Sequence, residues 1–327
     1  MDCPPFVSTT EKDVSPDKKT DFFVVGNPKS GTSILHDYLD QHPDICMSSP
    51  KEPNVFATDL CHNVNIGAFQ RKSWEEYRSY FDDPSGNQIW GESSACYLYS
   101  KDAASNIHNF NPNAKIIAIF REPVSFIYSY HLQQLENVKS ECETVKDLEK
   151  AINLEGKRKR GEEIPKGCLL PELLYYSERI KYSQQIEIYY RLFGKENVKV
   201  LIYDDFKNDN KGKYNDITDF IGTDKSFVPE LYEKNKSMKI RSRKAKFLIQ
   251  KMFRGEGIFS EMKKIIKDVV PKNIRRYVLV KAYENIAFKS KGSISDRLRK
   301  NLKKKFRPEV EKFSRTIDRD LIDEWGY

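Results

Sequence analysis

The sequence predicts an α/β fold: a doubly wound parallel sheet flanked by helices, with a helical and basic C-terminal portion. Three apolar, β-branched runs (residues 21–26, 114–120 and 198–206) each adjoin a stretch with helical periodicity. Two shorter runs, 45–49 and 88–93, are further candidate strands. Strands that alternate with helices favour a parallel sheet whose ligands bind at the carboxyl ends of the strands.

The order of these runs indicates how the chain is organised. The first run, DFFVVG, ends at Gly26 and passes through NPKSGTS into a helical pattern, and the second, AKIIAIF, passes into REPVSFIYSYHLQQL in the same way. The third, VKVLIYDDF, follows an amphipathic stretch over 173–193. After about Pro229 the pattern becomes helical and basic. Because no linker or internal repeat interrupts this order, we predict a flexible tail over 1–20 and one domain over 21–327.

The net charge of +8 is unevenly distributed along the chain. Residues 234–315 contain 27 Lys and Arg against 7 Asp and Glu, so the remainder carries a net charge of −12. This asymmetry indicates either solvated helix faces or attraction of a polyanionic cofactor or an acidic partner. None of the usual nucleic-acid-binding motifs is present, and we predict no nucleic-acid partner.

The cysteines and the N-terminus bear on the compartment. The six cysteines are scattered without a CxxC pair, and the N-terminus lacks the basic and apolar regions of a secretory signal. We therefore predict free thiols and a cytoplasmic location. No apolar stretch is long enough for a membrane span, and no His or Cys cluster has metal-ligand spacing, so we predict neither membrane contact nor a metal. The sequence indicates no oligomeric state.

A P-loop-like segment, GNPKSGTS over residues 26–33, follows the first predicted strand. Such a loop turns backbone N–H groups inward and directs a helix N-terminus at a phosphate. In a Walker A loop the lysine follows the second glycine, whereas here Thr32 occupies that place and Lys29 lies in the middle of the loop. This arrangement favours one 5′-phosphate and its bridging oxygen over a triphosphate with magnesium.

A second motif follows the second apolar run, which ends in Phe120-Arg121-Glu122-Pro123 with Ser129 eight residues beyond the arginine. An arginine offers a planar fork to a phosphate, proline suits the first turn of a helix, and a residue two turns further lies close to the same face. Together with the phosphate loop, this motif resembles those of the PAPS-dependent sulfotransferase superfamily, where PAPS is 3′-phosphoadenosine 5′-phosphosulfate.

The resemblance implies that both motifs form the donor site. Lys29 would contact the bridging oxygen of the phosphosulfate, and Arg121 with Ser129 would hold the 3′-phosphate. The 5′-phosphate would be held by the remaining loop residues: Ser30, Gly31, Thr32 and Ser33. PAPS is then the cofactor, 3′-phosphoadenosine 5′-phosphate (PAP) is the product, and the chain is an enzyme that needs no metal.

Three further segments are similar to the bacterial and heparan-sulfate-type branch of this superfamily: KEPNVFATDL (51–60), GESSACYLYS (91–100) and RPEVEKFSRTIDRDLIDEW (307–325). The resemblance implies that Glu52 is the general base; an ordinary surface carboxylate is the alternative. Glu92 and Ser94 either line the acceptor cleft or cap the end of a strand. His131 either contacts the donor or acceptor or packs against the sheet.

Further nucleotide contacts are implied in the later half of the chain. Tyr182 matches a family position near the nucleotide, and Lys236, Arg241 and Arg243 lie where the family closes a basic flap over the cofactor. Because the RKG triplet of that flap is absent, solvated helix charges are an equal alternative for the three cations.

The acceptor is less defined by the sequence than the donor. The charged segment 136–171 is a candidate lid or acceptor-recognition loop. We predict transfer to a hydroxyl or amine of a small molecule, such as a bacterial secondary metabolite of the saxitoxin type, which carries guanidinium groups. The alternatives are a P-loop nucleotide kinase and a nucleotide-binding protein without turnover.

Overall fold

The computed structural model describes most of the chain in two compact units. The described residues are 18–60, 72–83, 86–136, 142–168, 170–224, 226–231, 238–240, 288–290 and 294–327. One unit comprises 1–135, 139–232 and 296–327, and the other comprises 136–138 and 233–295. The predicted flexible tail over 1–20 falls largely outside the described residues, and the single domain over 21–327 stays a prediction.

A five-stranded parallel sheet forms the centre of the first unit, in the order β2–β3–β1–β4–β5. Its strands are β1 (Phe22–Gly26), β2 (Ile45–Met47), β3 (Ile89–Ser93), β4 (Lys115–Phe120) and β5 (Val198–Ile202). All five predicted runs form strands, which confirms the predicted α/β fold. In the second unit, β6 (Met238–Ile240) pairs antiparallel with β7 (Phe288–Ser290).

Helices flank the sheet and follow it at the C-terminal end. They are α1 (Thr32–Leu39), α2 (Trp74–Arg78), α3 (Ala103–Phe110), α4 (Pro123–Glu136), α5 (Leu148–Asn153), α6 (Glu155–Lys159), α7 (Tyr182–Phe193), α8 (Tyr203–Asn208), α9 (Asn210–Ile221), α10 (Asp296–Ile317) and α11 (Leu321–Trp325). Of the predicted helical and basic C-terminal portion, the segment from 296 to 306 falls in α10, whereas the segments 242–253 and 260–270 lie outside the described residues. Within the described part of the chain, no helix has the length and apolar character needed to cross a bilayer.

The core lies on both faces of the central strands. A strand buried on both faces is a near-continuous apolar run, as FFVV and IIAIF are. On one face, Phe22 and Val24 pack in a cluster with Leu35 of α1. On the other face, the rings of Phe23 and Phe56 meet edge to face with their centroids 5.5 Å apart.

The third predicted run is shorter as a strand than the apolar pattern indicates. β5 ends at Ile202, and α8 begins at Tyr203. Asp204 and Asp205 lie in the first turn of α8, where carboxylates complement the positive end of the helix dipole. Arg319 contacts the Asp205 carboxylate through both terminal nitrogens, which fixes this turn to the C-terminal end of the chain.

Cys142 and Cys168 form a disulfide bond, so the prediction of free thiols is wrong for these two residues. Cys46 and Cys96 are thiols. The bonded cysteines are 26 residues apart, and such a pairing cannot be deduced from scattered positions in a sequence. Because disulfides persist mainly in oxidising compartments, these two cysteines do not support the predicted cytoplasmic location. Two cysteines lie outside the described residues, Cys3 and Cys61.

The charged segment 136–171 is folded around a buried ion pair over its described residues. Arg158 donates from Nη1 to Glu143 Oε2 at 2.8 Å and from Nη2 to Oε1 at 2.9 Å, and both side chains are at most 1% exposed. Tyr176 donates to the same carboxylate at 2.7 Å. Burial alone would raise the pKa of Glu143, but these hydrogen bonds outweigh burial and hold the pKa below its ordinary value.

The Arg158–Glu143 pair should stabilise the fold far more than an exposed pair close to it. Arg158→Met should lower the free energy of unfolding by about 3–5 kcal/mol, because it leaves a buried carboxylate without its cation. The matched control is Arg160→Met, which removes a pair with Glu162 whose side chains are 61% and 51% exposed. The control should change the same quantity by at most about 1 kcal/mol. Denaturant unfolding followed by circular dichroism measures both.

The difference in the free energy of unfolding between wild type and Arg158→Met should depend on pH, because it depends on the charge of Glu143. Because the folded-state pKa is lowered, the pair stabilises the fold above the ordinary carboxyl pKa, and this contribution is lost as the pH falls through the folded-state pKa. The difference between wild type and Arg158→Met should therefore shrink toward acid pH. Equal losses in the two variants, or a difference independent of pH, would contradict a charged buried pair.

Candidate donor and acceptor site

The candidate site lies at the carboxyl edge of the sheet, where the strand order reverses. The central strand β1 pairs with β3 on one side and with β4 on the other. From β1 the chain runs to β2 and back to β3, and it then crosses to β4 and β5. A ligand crevice opens at such a reversal, outside the carboxyl ends of the strands. The loops that leave Gly26 and Phe120 both start there.

The loop between β1 and α1 has two residues in the left-handed region of backbone space. Lys29 has φ +62° and Gly31 has φ +92°. Glycine suits the second position because side chains disfavour this region, and an added Cβ would also lie 3.3 Å from the Phe206 ring. Gly31 is the N-cap of α1, so the first amides of that helix face the loop. In the same loop and first turn, the structure places the other predicted phosphate contacts, Ser30, Thr32 and Ser33.

Arg121 directly follows β4 and contacts the phosphate loop. Its Nη1 donates to the carbonyl oxygen of Lys29 at 3.0 Å. The guanidinium carbon lies 4.6 Å from the centroid of the Tyr203 ring, a cation–π distance. The structure therefore brings together the two motifs that the sequence separates by 92 residues.

Two buried polar atoms near these motifs have no hydrogen-bond partner within the described residues. They are Ser129 Oγ on α4 and Asn27 Nδ2 in the phosphate loop, and both residues are buried. Buried polar groups normally have partners, and an unmatched one costs about 1–3 kcal/mol. An anionic ligand beside Arg121 would supply the missing acceptors. The residues present therefore fit a phosphate-bearing donor.

Glu52 lies at the same edge of the sheet, beside the end of β3. Its N–H donates to the Ser93 carbonyl at 3.0 Å, and its backbone has φ +61°. The side chain is 47% exposed, and its Oε1 lies 2.8 Å from Lys51 Nζ. An exposed carboxylate at this edge is accessible to an acceptor. Its role as a base stays a prediction.

Glu92 and Ser94 are completely buried beneath the segment that carries Glu52. Glu92 accepts hydrogen bonds from Tyr77 and from Ser94 Oγ, both at 2.7 Å. Ser94 Oγ in turn accepts from the Asn54 N–H at 3.0 Å. Burial raises the pKa of Glu92. These side chains support the loop from below, and their predicted contact with an acceptor stays a prediction.

His131 is buried in the network of the 142–168 segment. Its Nδ1 lies 3.1 Å from Tyr176 Oη, and its Nε2 lies 3.3 Å from the Lys146 carbonyl oxygen. Burial lowers the pKa of His131. Both ring nitrogens therefore have a partner within the protein, and a contact of His131 with the donor or the acceptor stays a prediction.

Tyr182 supports Arg121 from behind. Its hydroxyl donates to the Arg121 carbonyl at 3.0 Å, and its ring lies 4.9 Å from that of Phe120 between centroids. The residue is 1% exposed, and its contact with the nucleotide stays a prediction. The other predicted nucleotide contacts lie outside the described residues: Lys236, Arg241 and Arg243.

Tyr203 is a site residue that the sequence reasoning did not select. It follows β5, the neighbour of β4, and stacks on Arg121 while lying close to Gly31. The rule that parallel strands end at one edge could have identified it, because Ile202 is paired with Phe120.

The arrangement combines groups that suit an anionic ligand with a carboxylate that is exposed to solvent. Cations, helix amides and unmatched buried donors meet between β1 and β4, and an exposed carboxylate lies beside β3. Within the described residues, no group of three or more His, Cys, Asp or Glu side chains is placed to hold a metal ion.

Comparison with known proteins places the chain among sulfotransferases. A family described as "Sulfotransferase domain" matches residues 19–321. Carbohydrate sulfotransferase 15 of Homo sapiens is 25% identical over 170 residues, which cover 41% of this chain and 30% of the relative. Bifunctional heparan sulfate N-deacetylase/N-sulfotransferase 3 of Homo sapiens is 31% identical over 125 residues, which cover 38% of this chain and 14% of the relative. The chain thus spans less than a third of these relatives.

A solved structure supports the same assignment at the level of the fold. The crystal structure of a sulfotransferase from Alicyclobacillus acidocaldarius matches with a TM-score of 0.66 and 23% identity, and covers 95% of this chain and 100% of that chain. The two proteins share the fold that is built on the five-stranded sheet described above. Because the family match extends over almost the whole chain, this protein belongs to the sulfotransferase family.

Proposed function

We propose that this chain is a PAPS-dependent sulfotransferase that transfers a sulfuryl group to a hydroxyl or amine. The observation that carries the proposal is the contact between Arg121 and the Lys29 carbonyl at the carboxyl edge of the sheet. It joins an arginine fork to a phosphate loop, and one adenosine bisphosphate could span both. The family match agrees with this reading.

Each donor-site residue would act on a different part of PAPS, which supplies the activated sulfuryl group. Arg121 and Ser129 would hold the 3′-phosphate, with the guanidinium fork giving a planar pair of donors. The amides from Ser30 to Ser33 would hold the 5′-phosphate at the start of α1. Lys29 would neutralise the charge that develops on the bridging oxygen as the bond to sulfur breaks.

Glu52 would take the proton of the acceptor. As the acceptor oxygen or nitrogen forms its bond to sulfur, the bond from sulfur to the bridging phosphate oxygen breaks, and the acceptor proton passes to the carboxylate. The carboxylate is exposed, and its loop is fixed by hydrogen bonds to Ser93 and Ser94. A fixed backbone with a reachable side chain suits this role.

The narrower acceptor prediction is a small molecule, with a guanidinium compound of the saxitoxin type as one example. The negative net charge of the chain outside residues 234–315 would tolerate a cationic acceptor. A panel of small hydroxyl and amine acceptors, with cationic and neutral members, tests this class. Equal turnover across the panel would contradict a preference for cations.

Donor affinity should depend on both motifs and should favour PAP over ATP. We expect calorimetry to detect PAP binding, and ATP with magnesium to bind more weakly, because Lys29 is displaced from the position that a triphosphate requires. Arg121→Ala should weaken PAP binding by about 10–100-fold, the range for a lost hydrogen bond to a charged group. Lys29→Ala should lose both PAP binding and turnover.

A matched control for these variants is Lys207→Ala, an exposed lysine at the end of α8. It should leave PAP affinity unchanged, and circular dichroism should show that all three variants fold. Tighter binding of ATP with magnesium than of PAP would favour the kinase alternative. Binding of PAP without sulfated product from any acceptor would favour a nucleotide-binding protein without turnover.

Glu52→Gln should separate catalysis from donor binding. We expect turnover to fall by about 10²–10⁴-fold, the range for loss of a general base, with PAP affinity nearly unchanged. Sulfated product formation with an active acceptor measures the first quantity, and calorimetry measures the second. Glu75→Gln on α2, another exposed carboxylate, is the control and should keep full turnover. Full turnover in Glu52→Gln would remove Glu52 from the mechanism.

A further inference from the structure

Arg179 is a buried cation for which the described part of the chain provides no anionic partner. It lies in the short 3₁₀ helix Glu178–Ile180, and only 3% of its surface is exposed. Within the described residues its side chain contacts two aromatic rings and forms no ion pair. Because buried charges are normally paired, the positive charge of Arg179 requires a partner that these residues do not supply.

Two tyrosine rings contact this guanidinium from different sides. Its central carbon lies 3.9 Å from the centroid of the Tyr99 ring and 4.5 Å from that of the Tyr130 ring, and the two rings do not contact each other. The Tyr99 hydroxyl donates to the Glu172 carbonyl oxygen at 3.3 Å. The Tyr130 hydroxyl donates to the Leu173 carbonyl oxygen at 3.2 Å. Both rings are therefore fixed to one backbone segment.

The groups around Arg179 do not neutralise its charge. The neighbouring Glu178 carboxylate pairs instead with Lys159 at 2.5 Å and with Lys181 at 2.6 Å. Burial raises the pKa of both tyrosines above its ordinary value, so their hydroxyls keep their protons at neutral pH, whereas an arginine stays charged. The rings contribute cation–π attraction, but charge-assisted hydrogen bonds to an anion are stronger.

The edge of the guanidinium carries an unmatched hydrogen-bond donor. The Nε of Arg179 is buried and has no partner within the described residues. An arginine presents its five N–H donors in one plane, so a ligand reaches them along that plane when rings cover the faces. Because an unmatched buried donor is costly, an anion at this edge would both accept a hydrogen bond and neutralise the charge.

We propose that Arg179 binds a monatomic anion, chloride, at the edge of its guanidinium. The cavity of about 440 Å³ beside this position is lined by Tyr99 but not by Arg179, so the ligand of Arg179 must fit a smaller space. A carboxylate or phosphate would also bring several oxygens that each need a donor, and both tyrosine hydroxyls donate to backbone carbonyls. Chloride is small and spherical and accepts N–H groups from one side.

The site joins two segments that lie behind the proposed donor site. Tyr130 follows Ser129 on α4, and Tyr182, three residues after Arg179, donates to the Arg121 carbonyl. Chloride at Arg179 would therefore stabilise the contact between α4 and the segment that precedes α7. Its binding requires neither donor nor acceptor, so this inference does not rest on the proposed function.

The test follows thermal unfolding of the full chain while sodium chloride replaces sodium gluconate at constant ionic strength. We expect the melting temperature to rise saturably, by about 2–4 °C when chloride exceeds its dissociation constant by about tenfold. Arg179→Met keeps an apolar chain between the rings and should show no saturable rise. The matched control is Arg191→Met on α7, an exposed arginine, which should respond like wild type.

A second variant and a direct measurement keep the test decisive if Arg179→Met does not fold. Arg179→Lys keeps the charge but loses the planar fork, so half of the rise should require at least about tenfold more chloride. The chlorine NMR signal of the buffer should broaden on addition of wild type, and it should broaden less with Arg179→Lys at the same chloride concentration.

Three outcomes would overturn the inference. An equal chloride response in wild type and Arg179→Met, or no response in wild type, would remove the site. An equal response in wild type and Arg179→Lys would rule out binding at the guanidinium edge. A larger Arg179-dependent rise with sodium acetate or sodium sulfate than with sodium chloride, at matched ionic strength, would contradict a monatomic ligand.

Discussion

The hydrogen bond from Arg121 to the Lys29 carbonyl is the contact on which the proposed donor site depends. Parallel pairing of β1 with β4 aligns Gly26 with Ala118, so the loops after both strands leave the sheet at one point. An arginine has five N–H donors in a planar fork, and one directed at a backbone carbonyl fixes the fork while others stay available. The loop and the cation are therefore positioned by each other.

The hydrogen bonds made by Glu122 leave Arg121 available for an anion. The neighbouring carboxylate of Glu122 could have neutralised it, but Glu122 accepts from the N–H groups of Val124 and Ser125 at 2.9 and 2.8 Å and from Tyr327 at 2.7 Å. A carboxylate in this place satisfies the first amides of α4 and complements the helix dipole. Because the Glu122 carboxylate is hydrogen-bonded to the start of α4 and to Tyr327, it is not paired with Arg121. The positive charge of the guanidinium is therefore available to a ligand.

The parts of the fold that the sequence predicted depend on local patterns. The runs 22–26 and 115–120 could be predicted as strands because a continuous apolar run is typical of a strand that is buried on both faces. The phosphate loop directly follows the first of these strands. The features that were missed depend on contacts between distant residues. The Cys142–Cys168 bond, the Arg158–Glu143 pair and the stacking of Tyr203 on Arg121 each join positions whose meeting no local periodicity specifies.

Three of the five non-glycine residues with positive φ in the described part of the chain lie at the candidate site. Lys29, Glu52 and Asn54 have φ between +56° and +62°, although none is glycine. Such conformations cost about 1–3 kcal/mol each and persist where the surroundings fix them. For Glu52 and Asn54 the surroundings are visible: Ser93 accepts the Glu52 N–H, and the buried pair of Ser94 and Glu92 holds the Asn54 N–H. The buried carboxylate of Glu92 thus helps to fix, through Ser94 and the Asn54 N–H, the backbone of the segment that carries Glu52.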